Sequence, residues 1–278
     1  MANIKISLIN ESTVLGDDDV QSALQSLQTQ VTDHFAPEWG IDADLGFVPK
    51  GSKPKPGSWW LTVFDNSDQP GALGYHDLTS DGLPLGKIFA GTDKQYGLSW
   101  TVTASHELLE MLGDPDINLT AFVEDENNHS GRLYAYEVCD ACEADKFGYK
   151  VDGVLVSDFV TPAWFESFRE PRKTKFDYRN LIKRPFQLLK GGYIGIYDVN
   201  KGTGWTQIEA EKAEDPDLET LAVGEEKNST RRIVLSAKNP TFYQYMSRAR
   251  LGSRREKRRT PRHLWLKSNT RNIKRKTI

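Results

Sequence analysis

The chain has 278 residues, 38% hydrophobic and 27% charged, with a net charge of −3. That length holds one large domain or a domain with substantial appendages, and no run of 18 apolar residues offers a membrane span. Two cysteines supply no disulfide framework, which fits a reducing compartment, and "MANIKISLINES" lacks the basic-then-apolar pattern of a secretory signal.

The small net charge hides an asymmetry. Residues 231–278 carry 16 Lys and Arg against one acid, Glu256, so the rest of the chain is acidic, at about −18. Such a basic tail contacts nucleic acid, an anionic surface or an acidic partner; a solvated extension is the alternative. Phe242, Tyr243, Tyr245 and Trp265 lie among or beside its basic residues, which suits nucleic acid and equally suits docking of the tail onto the body.

In chain order, "NIKISLIN" alternates as a strand, with Ile4, Ile6 and Leu8 on one side. Three aspartates then open a helix whose Val20, Leu24, Leu27, Val31 and Phe35 recur every three or four residues, with Pro37 closing it. "DADLGFVP" reads as a short strand, and "SWWLTVFD" as a central one with bulk on both faces. "GALGYHDL" and "GKIFAGTD" are strands around the turn "TSDGLP". A helix follows over about 98–112. Beyond it the sequence reads as loop and short extended segments, with strand-like runs in "YKVDGVLVSDFV" and "GGYIGIYDVN". An acidic linker precedes the basic tail.

The second helix carries "SHELLEMLGDPD". Positions i and i+4 share a helix face, so His106 and Glu110 can point at one ion. Glu107 is rotated by about 100° from His106, placed to take a proton from a water without ligating. HExxH zinc-peptidase helices have this geometry; here Glu110 stands where the second His would be. Carboxylates bind zinc, while the added charge weakens the Lewis acid and favours manganese or iron more than two imidazoles would. The alternative is a solvated acidic helix face. Against it, "LSWTVTA" and "LLEML" are too apolar for an exposed helix, and charges at the edge of a core need partners.

The element order, with an edge strand just before the motif helix, resembles that of zincin-fold metallopeptidases over about residues 1–170. "GYHDLTSDGLPLGKIFAG" occupies the place of their substrate-facing edge strand. More closely, "SHELLEMLGDP", "YEVCDACE" and "VSDFVTPAWF" resemble uncharacterised bacterial and bacteriophage proteins with the same three blocks. The resemblance implies an α+β, zincin-like fold: a twisted mixed sheet backed by two helices, the motif on the second. It also implies one divalent metal, zinc first, and a peptide or protein substrate, with His106 and Glu110 as ligands and Glu107 as general base. The expected divisions are 1–170 for the metal-binding domain, 171–230 for short strands and an acidic linker, and 231–278 for the tail. A cytoplasmic or virion-associated location follows, and a non-catalytic phage or nucleic-acid-associated component is the alternative function.

The third ligand has two readings. One aligns Gly113 with the metzincin turn and puts Asp116 on the metal, although no methionine is placed for that family's Met-turn. The other takes Glu137 with Asp140 in support, and is preferred because Glu137, Asp140 and Glu143 lie between aromatic and apolar residues. His129 is a further candidate in an exposed-looking loop. Cys139 and Cys142 form a lone CxxC, best read as packed thiols. His76 is a candidate substrate contact or a structural histidine.

Overall fold

The computed structural model describes residues 4–69, 72–125, 130–166, 170, 173–202, 204–210 and, by backbone alone, Arg232–Val234. In chain order they form β1 (Ile4–Asn10), α1 (Asp17–Thr29), a π-helical stretch (Gln30–Phe35), α2 (Ala36–Trp39), β2 (Ala43–Val48) and β3 (Trp59–Phe64). Next come β4 (Gly74–Leu78), β5 (Pro84–Phe89), α3 (Ala90–Gln95), α4 (Trp100–Gly113), β6 (Thr120–Asp125) and β7 (Ser130–Ala135). The rest are β8 (Tyr149–Val151), β9 (Val154–Val156), α5 (Pro162–Phe165), β10 (Tyr193–Asp198), β11 (Trp205–Glu209) and β12 (Arg232–Val234). The protein is α+β. Among the described residues no helix is long and apolar enough to cross a membrane.

The chain forms two compact units. The first takes residues 4–112 and 145–157; the second takes 113–144, 158–210 and β12. The 1–170 division expected from sequence therefore differs from the observed one. β6 and β7 hydrogen-bond to β12 and β10 in a sheet of their own, whereas β8 and β9 count with the first unit. The acidic linker from 211 and the basic tail, apart from the backbone of β12, lie outside the described residues, as does His129.

The first unit is built on a five-stranded sheet in the order β2-β1-β3-β5-β4. β1 pairs in parallel with β2 and β3, and β3 with β5; β4 runs antiparallel along the outer edge of β5. β1 runs parallel to both neighbours and is buried on both faces from Ile6 to Asn10, as parallel sheets generally are. Ser7 is buried beside Ile6, Leu8 and Ile9, and its hydroxyl meets that of Ser58 at 2.8 Å. Directly paired residues share a face. One row across the sheet therefore reads Phe47, Leu8, Leu61, Gly86 and His76, the last on the edge strand.

α1 opens with Asp17, Asp18 and Asp19 at its positive end, and the Asp19 carboxylate accepts the Gly16 N–H at 2.8 Å. Its buried face is Val20, Ala23, Ser26 and Leu27, continued by Gln30, Val31 and Phe35, while Leu24 is only half-buried. Pro37 does not close the helix as its position suggests. It follows the π-helical stretch inside an unbroken helical run from Asp17 to Trp39, and the chain turns instead at Gly40, whose φ of 68° is the left-handed cap. Buried Gln30 spends its amide on the Ser157 carbonyl at 2.8 Å and the Tyr149 hydroxyl at 3.2 Å.

The second unit holds the antiparallel sheet β11-β10-β7-β6-β12. The β6–β7 hairpin occupies residues that read as loop and short extended segments from sequence. An aromatic cluster forms around α5: Phe165 stacks on Tyr136 at 4.0 Å between centroids, and Phe186 lies 5.1 Å from Trp164 and 4.4 Å from Tyr134. Trp164 and Phe165 are core residues.

Candidate metal centre

The site residues of the first unit come from α4 and β4. Ser99 starts α4: the N–H groups of Val102 and Thr103 donate to its carbonyl, and the Asp145 carboxylate accepts the Ser99 N–H at 2.8 Å. The helix is then fastened along β9. The Thr101 hydroxyl donates to the Leu155 carbonyl, and the Ser105 hydroxyl accepts the Ser157 N–H, both at 2.6 Å. Every residue from Thr101 to Asp114 is buried. A helix covered all round belongs to a core, and the acidic residues of the motif are not a solvated face.

Two glycines let α4 approach the sheet. A Cβ on Gly74 would stand 2.6 Å from Thr103 Cγ2, 2.8 Å from Glu107 Oε1 and 2.9 Å from the Lys87 carbonyl oxygen. On Gly86 it would stand 2.7 Å from Leu61 Cδ1 and 3.5 Å from Glu107 Cβ. Glu107 thus lies over the strand pair β4–β5, on the face that carries His76. Thr103 is held by its hydroxyl on the Asp93 carboxylate at 2.9 Å, so it cannot swing aside. Gly74→Ala is expected to destabilise the fold by about 1–3 kcal/mol through overpacking. Gly86→Ala meets only the end of a leucine and should do less. Urea melts of the two variants check the difference.

Four ionisable side chains converge in this unit. His106, Glu107, Glu110 and His76 are 0, 1, 2 and 7% exposed. His106 Nε2 lies 3.3 Å from Glu110 Oε2, so the two residues a turn apart do point at one place. His76 Nδ1 lies 3.6 Å from the same Glu110 oxygen and 3.5 Å from Glu107 Oε2. Glu107 Oε2 accepts no hydrogen bond among the described residues.

Glu137, the preferred third ligand from sequence, belongs to the second unit. It is buried there with Asp140 and Glu143, and the Tyr193 hydroxyl donates to Asp140. Asp116 is exposed in the turn after α4. Its neighbour Asp114 is the buried one, and accepts the N–H groups of Asn118 and Leu119. Cys139 and Cys142 are buried and form no disulfide with each other. Burial, then the nearby Asp158, pushes the Cys142 thiol well above its ordinary range.

Sequence reasoning under-used His76. The available signal was its spacing from Gly74: residues two apart on a strand share a face, and a glycine on that face marks where another element comes close. No protein-family description, no curated protein and no solved structure matches the chain.

Proposed function

We propose that the protein is a metal-dependent hydrolase, a zincin-like peptidase whose metal is held by His106 and Glu110, with Glu107 as general base. The observation that carries this is the 3.3 Å between His106 Nε2 and Glu110 Oε2, both buried. It is longer than an ordinary N–H···O hydrogen bond. Ligands at zinc's usual bond lengths lie about 3.3–3.5 Å apart at a tetrahedral angle. The parallel sheet with an antiparallel edge strand, followed by the motif helix, supports the zincin-like reading.

The donor set fits the ion: imidazole and carboxylate suit zinc, and tolerate manganese or iron. When bound, the metal supplies Lewis acidity, lowering the pKa of a water and polarising a carbonyl. The chain's own residues do the rest. Glu107, next to His106 but turned off the ligand face, receives the proton of the attacking water at Oε2 and returns it to the leaving amine. The apolar walls of α4 and the sheet keep bulk water from competing. A peptide bond is the substrate the reading implies.

Metal analysis of the purified chain beside His106→Ala tests the proposal. Close to one equivalent of zinc, manganese or iron is expected in the wild type, and little in the variant. Equal metal content in both would remove the basis for a site on α4.

A further inference from the structure

We propose that His76, on the edge strand β4, is a positioning residue of this site: its Nδ1 stands between the Glu107 and Glu110 carboxylates and holds the base apart from the metal. The inference rests on the reading of α4 as a metal helix and concerns a residue outside the motif of that helix.

The surroundings of Glu107 carry it. Glu107 comes three residues before Glu110 on α4, so the two side chains are neighbours on the helix surface. With His106 and Glu110 on the ion, an unrestrained Glu107 carboxylate would be drawn onto it as a further ligand. There it could no longer take a proton. The sheet prevents this. A Cβ on Gly86 would stand 3.5 Å from Glu107 Cβ, and one on Gly74 would stand 2.8 Å from Glu107 Oε1. Gly86 is the residue paired with His76, and Gly74 lies two residues before His76 on the same face of β4. The stem of Glu107 and one of its oxygens are therefore seated on the glycines that flank His76. The histidine faces the other oxygen. Its side chain is only 5% exposed, and its Nδ1 lies 3.5 Å from Glu107 Oε2 and 3.6 Å from Glu110 Oε2.

Both separations are longer than an ordinary hydrogen bond, so the nitrogen is committed to neither acid and divides them. A proton on Nδ1 attracts both oxygens and offsets the desolvation and mutual repulsion of two buried carboxylates. Contacts of this kind are often long in a free enzyme and tighten when substrate is bound. Two other roles compete. As a substrate contact, the role suggested by its edge strand, His76 would need to face a cleft, and its burial speaks against that. As a ligand, its removal would release the metal, which the test reads directly.

The test is a double-mutant cycle of zinc affinity on the full chain, measured by competition with a chromophoric chelator. Glu107→Gln alone is expected to leave the affinity nearly unchanged. In the His76→Ala background, where the released carboxylate joins the ion, the same substitution should lower it by roughly 10-fold or more. Cobalt(II) reports the same event: the visible absorption of His76→Ala weakens as the ion gains a ligand, and the second substitution restores it. With peptide, His76→Ala should lose roughly 10–100-fold in kcat while KM changes little, as a misplaced group does. His76→Asn carries an amide N–H as many bonds from Cα as Nδ1 and is expected to recover most of that loss. His76→Gln, whose amide matches Nε2 instead, is not. This comparison serves even where the alanine variant folds poorly. Additive effects in the cycle, or equal kcat in the asparagine and glutamine variants, overturn the proposal while leaving α4 as the metal helix. So does a His76→Ala protein that loses its zinc, since His76 would then be a ligand. A wild type that binds zinc but cleaves no peptide removes the peptidase reading, and the affinity cycle still decides the role of His76. A wild type that takes up no metal overturns both.

Discussion

A Glu107→Gln variant is expected to lose roughly 10²–10⁴-fold in peptide hydrolysis while keeping its metal and its thermal stability. The substitution suits the position because the packing there leaves no tolerance. Glu107 is almost wholly buried, its Cβ over Gly86 and its Oε1 over Gly74. Glutamine has the same shape, so it adds no cavity and no clash. What it removes is the ability of Oε2 to take a proton. Glu107→Ala would empty the space against the two glycines as well, and a loss there would mix packing with chemistry. The informative set is therefore initial rates on a fluorogenic peptide library, zinc content and melting temperature, measured together for the glutamine variant. Full activity would strip Glu107 of its role as base. Loss of the metal along with activity would instead make it a ligand, a role its 3.5 Å separation from His76 Nδ1 makes worth measuring.

The elements that the sequence disclosed are those governed by local rules. Alternation and three-to-four spacing located β1, α1, β2, β3, β4, β5 and α4 within a few residues, because each of those segments buries a face whose period is written in its own residues. The motif helix disclosed that His106 and Glu110 share a face, since i and i+4 geometry is intrinsic to a helix. Strand order is not local. Nothing in "GYHDL" says that α4 crosses the row that His76 shares with Gly86, and so His76 could be noticed but not placed. Pro37 shows a local rule overridden: a proline is expected to stop a helix, yet the helical run passes it by two residues to Trp39. The β8–β9 hairpin had a legible turn, since Asp152-Gly153 adopts positive φ at both residues, 48° and 88°, as a two-residue hairpin turn demands. The β6–β7 hairpin lacked such a signal. Gln30 reads as a polar residue on a helix, and only the tertiary structure supplies the Ser157 carbonyl that justifies burying it.

In the second unit, folding stability is expected to decline as pH rises from about 5 to 9, with Asp158→Asn removing most of the decline. Asp158 and Asp177 are both fully buried and lie close enough for Asp177 to raise the Asp158 carboxyl. Burial, then the neighbouring Asp177 carboxyl and its charge, pushes the Asp158 carboxyl up to about 9, against the pull of the Phe159 and Arg179 N–H groups. Two carboxyl groups in contact cannot both ionise cheaply, so the pair shares a proton. An unfolded aspartate gives up its proton near 3.9. Between that value and about 9 the folded state binds the extra proton and the unfolded state does not, so stability falls with pH across the window. Below it the contribution is fully present; above it the contribution is lost. The pair sits where loss matters, because Asp177 accepts the Leu181 and Ile182 N–H groups while Asp158 accepts those of Phe159 and Arg179. Asparagine at 158 mimics the protonated acid: its oxygen accepts the same two N–H groups and its amide donates to Asp177. Urea melts from pH 5 to 9 should thus show the variant's profile nearly flat, with the variant the more stable protein at pH 9 by about 1–3 kcal/mol, since each unit of pKa difference is worth about 1.4 kcal/mol at most. Parallel profiles for the two proteins would mean that the pair does not hold a proton in the folded state.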